Sequence, residues 1–341
     1  MRRSCWTGCW VWHDDAMDKQ RRNSLALIGA ALASPWAAAQ GDWPARPIRI
    51  VVPFGAGGVA DLTARAVGQQ LGEQLKQSVI IDNRPGAGGV TAGSLVAQAD
   101  PDGYTLLLMS NGTAVSEGLF RKLPFQAQKD FAPISLLGTF DIALVVAENS
   151  KFRTLADLLA YAKANPGKLN LATVAVGSTQ NLAAELFKST AGVSAQVVPF
   201  NGTPAVVTAL RGGEVDAAIE ILAPIKSQVT ARALRALATF GEKRANGLPD
   251  VPTAAETGGA LAKFHVASWN ALAAPAKTPQ HVVQRLNREL QKALGNADLK
   301  KKLADLNVEA RWSTPDDLGN LLASETQRWS DVIERAKIPR Q

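Results

Sequence analysis

Apolar residues along this chain fall into two alternating kinds of run, short β-branched stretches and longer segments with apolar positions three or four apart. The first kind predicts strands and the second helices. Residues 48–54 (IRIVVPF) read as a buried strand; a glycine turn at Gly55, Gly57 and Gly58, a helix, and a second strand over residues 79–82 follow. Residues 84–89 read as a turn, 91–99 as a helix and 104–109 as a third strand. The polar stretch Ser110, Asn111, Gly112, Thr113 then reads as a loop at a strand's carboxyl end, where open α/β sheets hold ligands.

The apolar segment 134–147 is long enough to carry the chain across to a second lobe. Thr154 and Asp157 make a capping box for a helix that stops at Pro166 and Gly167, and a strand spans 169–174. A loop at 177–181 opens a helix over 182–190, a strand covers 195–199, and Pro204 suits the first turn of another helix. Gly212 and Gly213 end that helix before strands at 215–219 and 234–239. Residues 268–275 cross or pack at the hinge, and the remainder is helical, from Thr278 to Leu294 and from Thr314 to about Lys337. The alternation predicts an α/β fold of two lobes with mainly parallel sheets and a cleft between them. Residues 43–143 and 240–341 form one lobe and 144–239 the other.

Upstream, Lys19, Arg21 and Arg22 precede a short apolar run at 25–33, and Ala37, Ala38 and Ala39 supply small residues for cleavage near Gln40. This is the pattern of a secretory signal, with Met17 as the expected start; the paired arginines leave twin-arginine export open beside the general route. Cys5 and Cys9 both lie upstream of the expected cleavage, so the exported chain carries no thiol chemistry or disulfide. The full chain has a formal charge of +7; residues 1–39 contribute five basic and three acidic side chains, and removing them leaves +5. Lys300, Lys301 and Lys302 make the one basic run, a solvated helix face rather than a nucleic-acid patch. A mild positive field suits small anions.

Catalytic signatures such as G-x-S-x-G, H-E-x-x-H and G-x-x-x-x-G-K-[ST] are missing, and His265 and His281 are too few for a metal site. The chemistry lies in the glycine loops. After the first strand, amides at Ala56, Gly57 and Gly58 meet the positive end of a helix and can hold a carboxylate or phosphate. The same residues match the dinucleotide pattern G-x-G-x-x-A, with Asp82 about twenty residues on. Asp82 serves either a ribose or a turn with Arg84, and Asp61 either the helix N-terminus or a ligand. Ser110, Thr113, Ser178, Thr179 and Asn181 are candidate helix caps and candidate ligand contacts at once.

Several stretches together resemble the Bug or TctC-like periplasmic solute-binding proteins of the tripartite tricarboxylate transporter system. They are 43–54 (WPARPIRIVVPF), 55–61 (GAGGVAD), 82–89 (DNRPGAGG), 101–107 (PDGYTLL), 129–134 (KDFAPI), 182–187 (LAAELF), 212–216 (GGEVD) and 285–287 (RLN). The resemblance implies a two-lobe periplasmic-binding-protein fold of type II-like architecture. It implies a monomeric periplasmic receptor, without catalysis, cofactor or metal, that captures a mono-, di- or tricarboxylate for membrane transport components. Ligand contacts would fall on Phe54, Ala56, Gly57, Gly58 and Asp61, on Ser110, Asn111 and Thr113, and on Gly177, Ser178, Thr179 and Asn181. Phe200 and Asn201 would line the cleft, and Glu220 stands near a family aspartate as a structural or ligand-orienting acid. The chain departs from the family pattern at residues 114–118, which lack the usual histidine and Asn-Pro, and at Asp141, often proline. Delivery of the closed form to a signalling receptor is the second reading, and a dinucleotide-dependent oxidoreductase the third.

Overall fold

The computed structural model describes residues 43–341 except Ala175. The expected signal segment, the start at Met17 and the cleavage near Gln40 lie outside the described residues. The first elements are β1 (Ile48–Val52), α1 (Val59–Leu75), β2 (Val79–Asn83), α2 (Val90–Ala97), β3 (Thr105–Ser110) and α3 (Asn111–Leu119). There follow β4 (Phe131–Ala147), α4 (Leu155–Ala164), β5 (Leu169–Val174), α5 (Thr179–Ala191), β6 (Ala195–Phe200), α6 (Thr203–Gly212), β7 (Ala217–Ile221), α7 (Leu222–Thr230) and β8 (Leu234–Thr239). The chain closes with β9 (Ala267–Pro275), α8 (Gln280–Gly295), α9 (Ala297–Asp305), β10 (Glu309–Ala310) and α10 (Pro315–Arg335).

Residues 110–113 do not form the expected loop. Ser110 Oγ accepts from the Gly112 amide at 3.2 Å and Thr113 Oγ1 from the Ser110 amide at 3.3 Å. This reciprocal cap starts α3 directly at the end of β3. After α8, which ends close to the expected Leu294, a further short helix follows: Asn296 Oδ1 accepts from the Leu299 amide at 3.0 Å and starts α9.

The strands run in the order β2-β1-β3-β9-β4-β7-β5-β6, with β8 and β10 also on β4. The sheets are less parallel than the sequence predicts. The outer pairs β1–β2, β1–β3, β5–β6 and β5–β7 are parallel, whereas every contact of β4 and β9 is antiparallel. Strand β4 explains why. Its 17 residues form one continuous strand rather than a connector, paired with β9 through Asp141 and with β7 and β8 from Ile142 and Ala143 onward. One rod thus joins two sheets, changing partner between Asp141 and Ile142.

Two irregularities shape that rod. Pro133, which has no N–H to give, sits at a register shift against β9. At Gly138 a Cβ would stand 2.7 Å from the Glu309 carbonyl oxygen, so only glycine lets β10 cross so closely. The apolar faces of both sheets are covered by helices, and the buried Trp329 of α10 and the Phe187, Phe240 and Phe264 ring cluster fill the space beneath them. Within residues Arg46–Gln341 the chain is one compact unit.

Candidate ligand-binding site

The turn after β1 is built around a buried carboxylate. Gly57 has φ +84°, which turns its amide back toward the first helical turn, and Asp61 Oδ2 accepts from it at 2.8 Å. The same carboxylate accepts from Arg65 Nε at 3.0 Å and Asn83 Nδ2 at 2.9 Å, and Asn83 also donates to the Phe54 carbonyl oxygen at 3.0 Å. Burial opposes ionisation of Asp61, but the bonds from Arg65, Gly57 and Asn83 outweigh it and hold its carboxyl below the usual range. Gly58, the N-cap of α1, makes no side-chain cap. The first-turn amides of α1 therefore keep their donors for a ligand. Asp82 pairs instead with Arg84, at 2.9 and 3.1 Å, which is its turn role.

A second turn repeats this plan after β5. Gly177 has φ +80° and its amide donates to Asn181 Oδ1 at 3.1 Å. Asn181 Nδ2 reaches Thr173 Oγ1 at 3.3 Å, and Ser178 Oγ caps the Asn181 amide at 3.1 Å. Between the two turns, Asn111 Nδ2 donates to Thr179 Oγ1 at 3.3 Å, tying the N-terminus of α3 to that of α5. Asn111 is itself fixed by Trp329 Nε1, which donates to its Oδ1 at 2.9 Å.

Both turns face one cavity of about 720 Å³. Its wall takes Phe54, Gly57 and Gly58 from the first turn, Ser110 from the end of β3, and Gly177, Ser178 and Thr179 from the second. Gly202 and Thr203 bring the uncapped N-terminus of α6 to the same space, and Ile221 and Ala223 that of α7. Among the described residues of the wall there is no lysine, arginine or histidine. Any attraction for an anion comes from helix N-termini and hydroxyls, while Val59, Val115, Phe120 and Phe140 make much of the remainder apolar.

The other expected residues lie elsewhere. Asp61, Asn111, Thr113 and Asn181 are buried behind the wall, their polar atoms bonded to the loops they shape. Ala56 and Asn201 are exposed outside it and Phe200 packs against the core of the second sheet, so the turn after β6 offers Gly202 and Thr203 instead. Glu220 is also one layer back: its Oε2 accepts from Gln180 Nε2 at 3.3 Å and Thr203 Oγ1 at 3.1 Å, and both donors reach the wall. Burial pushes its carboxyl up to about 7 against the bonds from Gln180, Thr203 and the Ile221 amide.

The sequence reading missed the floor. Ser268 and Asn270 of β9 and Phe140 of β4 line the cavity, while their alternate neighbours Trp269, Thr139 and Asp141 line a second cavity of about 640 Å³. Ser268 opposes Phe140, and Asn270 opposes both Gly138 and Ser110. The available signal was a pair of polar residues two positions apart, Ser268 and Asn270, in the otherwise apolar stretch 267–275.

Residues 63–338 match the family model described as the tripartite tricarboxylate transporter family receptor. A UPF0065 protein in the tcbD-tcbE intergenic region of Pseudomonas sp. (strain P51) is 38% identical over 315 residues, which cover 92% of this chain and 94% of that one. Among solved structures, R. palustris Rpa4515 with adipate is 34% identical with a TM-score of 0.77, over 87% of this chain and 99% of the other. MatC (Rpa3494) from Rhodopseudomonas palustris with bound malate is 33% identical with a TM-score of 0.73, over 85% and 100%. The match runs from within the first helix through the second glycine turn to the C-terminal helices, and on it the chain belongs to the receptor family of the tripartite tricarboxylate transporters.

Proposed function

We propose that this chain is a periplasmic receptor, exported by its N-terminal segment, that captures a small organic acid between two lobes. The closed form is then presented to the membrane components of a tripartite transporter. The observation that carries the reading is the 720 Å³ cavity on which the N-termini of α1, α3, α5, α6 and α7 converge without a cationic side chain. Such a wall holds a carboxylate through amides and hydroxyls, strongly enough to select it and weakly enough to release it. Capture and release break no covalent bond, so the function needs no nucleophile, base or cofactor.

The lobes of this reading are residues 43–143 with 240–341, and 144–239. Bending where β4 changes partner, between Asp141 and Ile142, would open and close the cleft, with the Asn111–Thr179 bond joining the two lobes behind the wall. Adipate and malate in the related structures make a carboxylate the solute class to try first. Isothermal titration with mono-, di- and tricarboxylates tests the proposal: micromolar or tighter binding of at least one is expected, and failure of the whole panel would overturn it.

A further inference from the structure

Asn270 is fully buried in the cavity floor, and neither its Oδ1 nor its Nδ2 has a hydrogen-bond partner in the protein. Other buried polar groups among the described residues, such as Thr63 Oγ1 and Trp269 Nε1, lack a partner at a single atom. Asn270 leaves a whole amide head unpaired. Its strand neighbours offer no relief, since Gly138 has no side chain and Ser110 Oγ, which accepts from the Gly112 amide at 3.2 Å, makes no bond to it. A buried amide is costly unless something pairs with it, so its place in a ligand cavity is informative. An amide presents a donor and an acceptor side by side. A bare carboxylate has only acceptors and answers half of it.

We infer that Asn270 is a specificity-determining residue whose amide reads a paired donor and acceptor on the solute, borne by a hydroxyl or a carboxamide in addition to the clamped carboxylate. The inference rests on the carboxylate-receptor reading and narrows it to substituted acids. Helix N-termini hold the carboxylate and apolar side chains accommodate the body. Asn270, on the central strand β9, rejects analogues that leave its amide unpaired.

Matched probes test this by isothermal titration: malate against succinate, mandelate against phenylacetate, and succinamate against succinate. The protein should bind the substituted member of at least one pair roughly tenfold to hundredfold tighter, as one or two added hydrogen bonds would give. Asn270→Leu keeps the volume and removes both polar atoms. It should abolish the preference, weakening the substituted acid and tightening the plain one as the rejecting amide is removed, and its thermal midpoint should stay level or rise, since no protein partner is stranded. Equal binding of both members of every pair by the unaltered protein would overturn the inference alone, even if the variant does not fold. Preference surviving in Asn270→Leu would overturn it as well. Binding of none of these acids would count against the receptor reading itself.

Discussion

The two glycine turns that face the cavity share one backbone device and build it from different chemistry. In each, a glycine with φ near +80° donates its amide to the side chain four residues on, Gly57 to Asp61 and Gly177 to Asn181. In the first turn that acceptor is a carboxylate, compensated by Arg65 and Asn83. In the second it is a neutral amide tied to Thr173, with the carboxyl displaced to Glu220 behind Gln180 and Thr203. A negative charge beside an anion site opposes binding unless it is paired. The first turn pairs its charge with an arginine; the second keeps its acid buried in low dielectric, where the charged form is disfavoured.

The largest expected effect separates the two acceptors. Asp61→Ala strands the Gly57 amide, Asn83 and part of Arg65, and should cost about 3 kcal/mol in urea unfolding, less than a fully buried pair because the Arg65 side chain is 49% exposed. Asn181→Ala strands the Gly177 amide and Thr173 Oγ1 and should cost about 1–2 kcal/mol. Equal costs would break the comparison, since Arg65 and Asn83 would then add nothing to the first turn.

The next effect concerns the displaced acid. Burial pushes the Glu220 carboxyl up to about 7 in the folded protein from 4.5 when exposed, so between these values the folded state holds a proton there that the unfolded chain has released. Its stabilising contribution is complete below about 4.5, falls as pH rises, and is gone above about 7, a loss of roughly 3 kcal/mol at most. Asp141, raised by burial and by Glu309 against Arg311, slopes the same way and remains as background. Unfolding free energy measured from pH 5 to 8 should decline in the unaltered protein and flatten in Glu220→Gln. An unchanged slope in the variant would remove the buried acid from the second turn's account.

These contrasts also show which features the sequence could reveal. Turn chemistry is local: a glycine needing positive φ, a serine or threonine cap and an acceptor three or four residues on lie within one window, so Gly57, Gly177, Ser178 and the Thr154–Asp157 box are legible directly. At Ser110–Thr113 the same local signal supports both a loop and a cap, and only the cap reading holds, because the pair opens α3 directly at the end of β3. For Asp61 the sequence leaves two readings, because one of the partners that hold its carboxylate, Asn83, stands 22 residues away. The floor was not legible at all. Phe140 and Asn270 meet through the pairing of β4 with β9, and the face each presents depends on a register that two irregularities in β4 adjust.

The smallest effect distinguishes the glycines themselves. Alanine at Gly57 adds a Cβ with no atom within 4 Å, so its cost is that of a left-handed backbone alone, about 1 kcal/mol. At Gly177 the backbone cost is similar, but the Cβ would run into Leu119 Cδ2, a buried α3 side chain that also lines the cavity. Gly177→Ala should therefore lose about 1 kcal/mol more than Gly57→Ala, because a packed leucine must move. The excess should vanish when both are measured in a Leu119→Ala background, while the shared backbone term persists. If the excess survived there, the two turns would differ in backbone strain rather than in the contact of Gly177 with α3.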